Sequence, residues 1–229
     1  MNIINTGDQY YDSIISGLLE TAVDSSVDYG ELALDYFLDD KIIKDIPIIG
    51  TLVNLGKCII SIKSLQFAKN YYTFIQLVRN NKKTVEELEK HIKSLNNNPK
   101  QMKKEIDTLL IYLEEYKNSN KIQYMFNIYR AFLSPGIFAM DWNQTLIYFE
   151  ILGRLLPDDI EALKKIAVYG AQASEFSDHS ELLRLSALGL VQYFNGKEVN
   201  CGHDKHRIAR LTIEGKRFYR IITTQSITN

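Results

Sequence analysis

The run Ala187-Leu188-Gly189-Leu190-Val191-Gln192-Tyr193-Phe194, followed after a polar loop by Arg207-Ile208-Ala209-Arg210-Leu211-Thr212-Ile213-Glu214-Gly215-Lys216-Arg217-Phe218, decides how the end of this chain folds. Gly189 stops an amphipathic helix, since glycine accepts the left-handed backbone of a helix terminus. Leu190 to Phe194 and Arg207 to Leu211 then have the composition of two short strands. Leu211-Thr212 leads into a closing helix through Phe218, Tyr219 and Ile222. Upstream, Pro157-Asp158-Asp159 sets the first turn of a helix with Ile160, Leu163, Ile166 and Ala167 on one stripe. Ala171 to Phe176 turns the chain, and Ser177 or Asp178 caps a second helix that runs through Leu182, Leu183, Leu185 and Leu188. Two helices, a hairpin and a closing helix in this order predict a winged helix with a small β wing over residues 156–229.

The rest of the chain predicts a mainly α fold, an N-terminal helical bundle over residues 1–155. Fourteen Tyr and ten Phe against four Pro, with 45% hydrophobic residues in 229, supply enough apolar surface for a sizeable core. Apolar residues recur at three and four from Asp8 to about Leu38. Thr84-Val85-Glu86-Glu87 has the form of a capping box opening a charged helix. With a second helix from Lys100 to Lys117, it predicts a solvent-facing helical hairpin over 84–117. The lysines Lys82, Lys83, Lys100, Lys103 and Lys104 at its helix ends are interleaved with glutamates, as on a solvated face. Lys121 to Leu133 and a helix capped by Asp141 carry aromatic stripes whose spacing is that of core.

Residues 46–62 stand apart. Pro47 opens the segment, Lys57 is its one charge, and Ile48, Ile49, Leu52, Val53, Leu55, Ile59 and Ile60 make it apolar. It falls short of the ~20 residues that span a bilayer, so it reads either as a buried hairpin or as a segment that inserts into a membrane after rearrangement.

Charge and chemistry narrow the function classes. A net charge of -1 gives no global field toward nucleic acid or anionic lipid, so such a partner needs a local patch. That patch is the stretch Lys197 to Arg220, with seven Lys or Arg against Glu198, Asp204 and Glu214. Arg184, Lys197, Lys205, Arg207 and Arg210 are the candidate DNA contacts. Cys201, His203 and His206 have a spacing that supplies three zinc ligands, without a fourth nearby. His91 and His179 read as isolated surface residues, and Cys58 as a buried thiol. No phosphate-binding loop, dinucleotide fingerprint, zinc-protease motif or nucleophile elbow is present, so a non-enzymatic protein without a cofactor is expected. The two Cys lie far apart, and the first residues lack a charged and then apolar leader, so a reduced cytoplasmic setting is expected, peripheral to the inner membrane if residues 46–62 engage it. The wealth of Asn, Ile, Lys and Tyr is the usage of an AT-rich bacterial or phage genome.

Lys44-Asp45-Ile46-Pro47-Ile48-Ile49-Gly50-Thr51, the aromatic run Tyr124 to Phe132, and Gly189-Leu190-Val191 before Leu211-Thr212-Ile213-Glu214-Gly215 resemble a group of uncharacterised bacterial helical proteins ending in a winged helix. The C-terminal part is loosely similar to the abortive-infection alpha family, named for an association with phage exclusion. That resemblance implies an anti-phage defence effector, acting at the membrane through residues 46–62 with the winged helix as a sensor or docking module. The residues alone equally allow a DNA-binding regulator whose N-terminal helices form a homo-oligomer, or an adaptor that binds another protein through its aromatic middle.

Overall fold

The computed structural model describes residues 8–19, 62–95, 97–134, 136, 138–169, 180–194 and 208–224. Among them are nine helices and one two-stranded sheet, so the chain is mainly helical with a small β element. They divide into two compact units at Ala139/Met140.

The N-terminal unit holds α1 (Gln9–Leu19), α2 (Ile62–Arg79), α3 (Lys82–Ser94), α4 (Pro99–Glu115) and α5 (Ser119–Leu133). Helix α2 is its axis, packing against the other four. Ala68, Tyr71, Phe74, Ile75 and Val78 are buried at helical spacing, and Asn70 and Gln76 are buried beside them. Phe74 meets Phe126 edge-on at 6.4 Å and lies 5.8 Å from Tyr129, both on α5. The aromatic run is therefore core.

Polar groups set the register of this bundle. The Asn70 side-chain amide donates to the carbonyls of Leu113 (2.8 Å) and Tyr116 (2.6 Å), at the end of α4. Those carbonyls have no intrahelical partner. Gln66 Nε2 in turn donates to Asn70 Oδ1 at 2.8 Å. Arg79 Nε donates to the Gly17 carbonyl of α1 at 2.7 Å.

The capping box expected at Thr84 gives way to a different cap. Asn81 is the N-cap of α3, and its Oδ1 accepts from both the Thr84 amide and the Thr84 hydroxyl at 2.9 Å. Thr84 is thus inside the first turn and buried, because a side-chain amide oxygen three residues earlier already satisfies its donors. Nor do α3 and α4 form a separate solvent-facing hairpin. Helix α3 buries Val85, Leu88 and Ile92, α4 buries Met102, Ile106, Leu109 and Leu113, and both pack on α2. His91 is also not isolated: its Nε2 lies 2.7 Å from Oε2 of the buried Glu105, and its ring meets Phe132 edge-on at 4.9 Å.

The C-terminal unit holds α6 (Trp142–Arg154), α7 (Pro157–Tyr169), α8 (Ser180–Ala187), β1 (Val191–Phe194), β2 (Ile208–Leu211) and α9 (Ile213–Thr223). Helix α6, expected to close the N-terminal bundle, belongs here instead. Its Tyr148 ring meets Phe218 of α9 edge-on at 5.3 Å, and its hydroxyl donates to Glu214 Oε2 at 2.7 Å. Burial, and then the Glu214 carboxylate, push the Tyr148 phenol well above its ordinary pKa.

Asp141 caps α6 as its position predicts, accepting from the Gln144 amide at 2.8 Å. Gly189 ends α8 at φ 72°, with Gly189 N donating to Ser186 O and Leu190 N to Leu185 O, each at 2.9 Å. That double bond pattern is the Schellman termination, which favours glycine at this point. The strands pair antiparallel, Val191 opposite Leu211 and Gln192 opposite Arg210. Val191 and Ala209 face the core, while Gln192 and Arg210 are exposed. The buried stripe of α8 is Leu182 and Leu185, and Leu183 is 59% exposed.

Two substitutions test this account. Replacing Asn70 by Leu strands two buried carbonyls and is expected to cost about 2–4 kcal/mol in urea unfolding, against about 1–2 kcal/mol for Gln66→Leu, which strands only the Asn70 Oδ1. At Gly215 an added Cβ would fall 1.9 Å from the Leu190 carbonyl oxygen, whereas at Gly136 it would meet nothing closer than 3.9 Å. Gly215→Ala should therefore destabilise by at least about 2 kcal/mol and Gly136→Ala by no more than about 0.5 kcal/mol.

Candidate anion-binding groove

The C-terminal unit carries a groove of ≈ 460 Å³ between α7, β2 and α9, lined by Ile166, Ala167, Arg210, Leu211, Lys216, Tyr219 and Arg220. Its geometry follows from how α9 begins. Thr212 comes directly after β2, and its hydroxyl oxygen accepts from the Gly215 amide at 2.8 Å while donating to the Gly189 carbonyl at 2.7 Å. The Thr212 amide donates to Leu190 O at 3.0 Å. The helix is thus tied to the end of α8 and has no slack in which to turn away.

With Gly215, Phe218, Ile221 and Ile222 committed to the core, Lys216 and Arg220 are left exposed one turn apart. Arg210 reaches the same groove from the outer face of the hairpin. Like charges at this helical spacing repel by about 0.2–0.5 kcal/mol. Among the described residues no carboxylate pairs with Arg210, Lys216 or Arg220. Elsewhere cations do find partners, as in Lys90 with Glu87, Lys93 with Glu89, Lys103 with Asp8 and Arg154 with Glu150. A concave surface with three unneutralised cations attracts an anion.

Arg184 is placed differently. Its Nε and Nη2 both lie 2.8 Å from Asp159 Oδ1 on α7, and that carboxylate is fully buried. Asp159 Oδ2 accepts from the Leu156 amide at 2.8 Å, so one carboxylate both caps α7 and holds α8. The hydrogen bond to Asp159 holds the guanidinium above its ordinary pKa. Arg184 is a structural tie, and the outward surface of α8 is left with Leu183 and Ala187.

Of the candidate DNA contacts, Arg210 is therefore in the groove, Arg184 is bound to Asp159, and Lys197, Lys205 and Arg207 lie outside the described residues. Cys201, His203 and His206 lie outside them too, as do His179, Cys58 and Ile48, Ile49, Leu52, Val53, Leu55, Ile59 and Ile60. Among the described residues no group of three or more His, Cys, Asp or Glu could hold a metal, and no helix is long and apolar enough to cross a membrane. Lys216 and Arg220 belong to the basic stretch seen in sequence, but their convergence with Tyr219 was not foreseen. Their spacing of four on a helix whose opposite stripe is apolar was the available signal.

No family model, no curated protein and no solved structure matches the chain.

The tie and the groove are separable by mutation. Arg184→Gln leaves the Asp159 charge buried with only a backbone partner, so the urea midpoint should fall; the added change Asp159→Asn should recover part of the loss. Arg210→Gln, on an exposed strand face, should leave the midpoint where it is. Equal midpoints for Arg184→Gln and Arg210→Gln would mean that Arg184 carries no structural load.

Proposed function

We propose that the C-terminal unit is a winged helix that binds nucleic acid non-enzymatically, by contacts to phosphate from Arg210, Lys216 and Arg220. The observation that carries this reading is the groove itself, where two exposed cations on one face of α9 and a third on β2 meet without a neutralising carboxylate among the described residues. The order of α7, α8, the β1–β2 hairpin and α9 is consistent with a winged helix. Lys197, Lys205 and Arg207, which fall between the two strands in sequence, would add further contacts. With a net charge of -1, affinity must come from this local patch.

The reading as a membrane-acting defence effector has its support in the apolar sequence 46–62 and in the family resemblance, not in any described residue. It makes its own demand, which is sedimentation with anionic liposomes that is lost in Val53→Asp.

Fluorescence anisotropy with a labelled mixed-sequence DNA, across a salt series, tests the nucleic-acid reading. Three phosphate contacts give a slope of log K against log salt of about -2 on single strands and about -2.7 on duplex. The triple variant Arg210→Gln, Lys216→Gln, Arg220→Gln should lose that slope while keeping its urea midpoint. Unchanged binding in the triple variant would reject the assignment.

A further inference from the structure

Resting on the nucleic-acid reading, we infer that the groove accepts a single strand, with one unstacked base against the Tyr219 ring and its flanking phosphates held by Arg210, Lys216 and Arg220. Three observations converge on this.

First, among its described residues, the helix that a helix-turn-helix protein lays into the major groove is unequipped to read bases. Specific readers place Arg, Lys, Asn or Gln at base edges. Helix α8 is described over Ser180–Ala187, and its Arg184 is bonded to the buried Asp159. Its outward surface offers Leu183 and Ala187. The binding residues are instead on β2 and α9.

Second, the groove is not merely basic. Ile166, Ala167 and Leu211 line it together with Tyr219. A duplex backbone presents only sugar and charged phosphate to such a surface, and its bases are stacked on each other. An unpaired base has a free π-face and apolar edges that match this lining. The volume of ≈ 460 Å³ lies in the range of clefts that enclose small organic groups, about 300–1,000 Å³.

Third, Tyr219 is half-buried yet makes no ring contact among the described residues, in contrast to the paired rings Tyr148 with Phe218 and Trp142 with Phe149 in the same unit. Its position in α9, between Lys216 and Arg220, sets an aromatic face beside two cations. Alternating cation and ring is the arrangement by which sequence-tolerant proteins hold single strands.

The test compares a mixed-sequence single strand with its duplex at equal salt, for the wild-type chain, Tyr219→Phe and Tyr219→Leu. Phe keeps the π-face, whereas Leu fills a similar space without one. The single strand should bind at least about tenfold more tightly than the duplex. Tyr219→Leu should cost about tenfold on the single strand with little effect on the duplex, and Tyr219→Phe should bind like wild type. Urea midpoints of both variants confirm that the fold is intact. Duplex bound as tightly as single strand, or a Leu variant indistinguishable from Phe, overturns the single-strand inference while leaving the phosphate contacts standing. Absence of binding to either form by the wild-type chain overturns the nucleic-acid reading itself.

Discussion

The N-terminal bundle depends on one side-chain amide. Helix α2 packs against four others, so apolar burial alone leaves open how far it rotates or slides among them. Apolar packing alone tolerates such shifts better than hydrogen bonding does. Asn70 removes that freedom, because both its donors are used on the last carbonyls of α4 and its acceptor is filled by Gln66. A slide of one residue would leave three polar groups buried without partners. The cost of an unmade buried bond exceeds the net gain of making one, so this contact specifies the bundle more than it stabilises it. Arg79 on the Gly17 carbonyl and His91 on Glu105 act in the same way on α1 and on the α3–α4 pair.

The C-terminal unit uses the same device with charge. Asp159 is fully buried, which is tolerable only because a backbone amide and the Arg184 guanidinium surround it. The consequence is that α8 is docked on α7 by Arg184. Thr212 then joins β2 to α9 with three bonds to neighbouring backbone, and Gly215 allows α9 to lie directly on the Leu190 carbonyl. Such close approach leaves α9 one orientation. Its apolar stripe turns inward, and Lys216, Tyr219 and Arg220 turn toward Arg210 for that reason.

What could be read from sequence was what local chemistry decides. Asp141 before an apolar stripe, Pro157 in a first turn, Gly189 after the last leucine of a helix and two short strands ahead of Thr212 each act within a few residues, and each sits where its chemistry places it. The errors arose where a distant partner wins. Thr84 has the form of a cap, but Asn81 reaches its donors first. His91 and Arg184 looked free because Glu105 and Asp159 are 14 and 25 residues away in sequence. Helix α6 looked like the end of the bundle until Tyr148 found Glu214 and Phe218, more than sixty residues on. Asn70 carries no sequence signal at all, since a lone asparagine in a helix is ordinarily a solvated one. The groove was half legible: its cations were counted, but their convergence depends on the Thr212 joint.

A patch of three cations on a chain of net charge -1 acts only at short range. At physiological ionic strength the field of exposed charges decays over about 8 Å. Long-range steering therefore contributes little, and a ligand must enter the groove before the cations act on it. Once inside, the apolar lining excludes water from one side of each contact, and the interaction strengthens as the local dielectric falls. A ligand that fills only the charged part forgoes that gain, and one that fills only the apolar part leaves the cations repelling each other. The ligand that would use both parts of the groove carries an anion and a flat apolar group within one molecule, which is the chemistry of the proposed single strand.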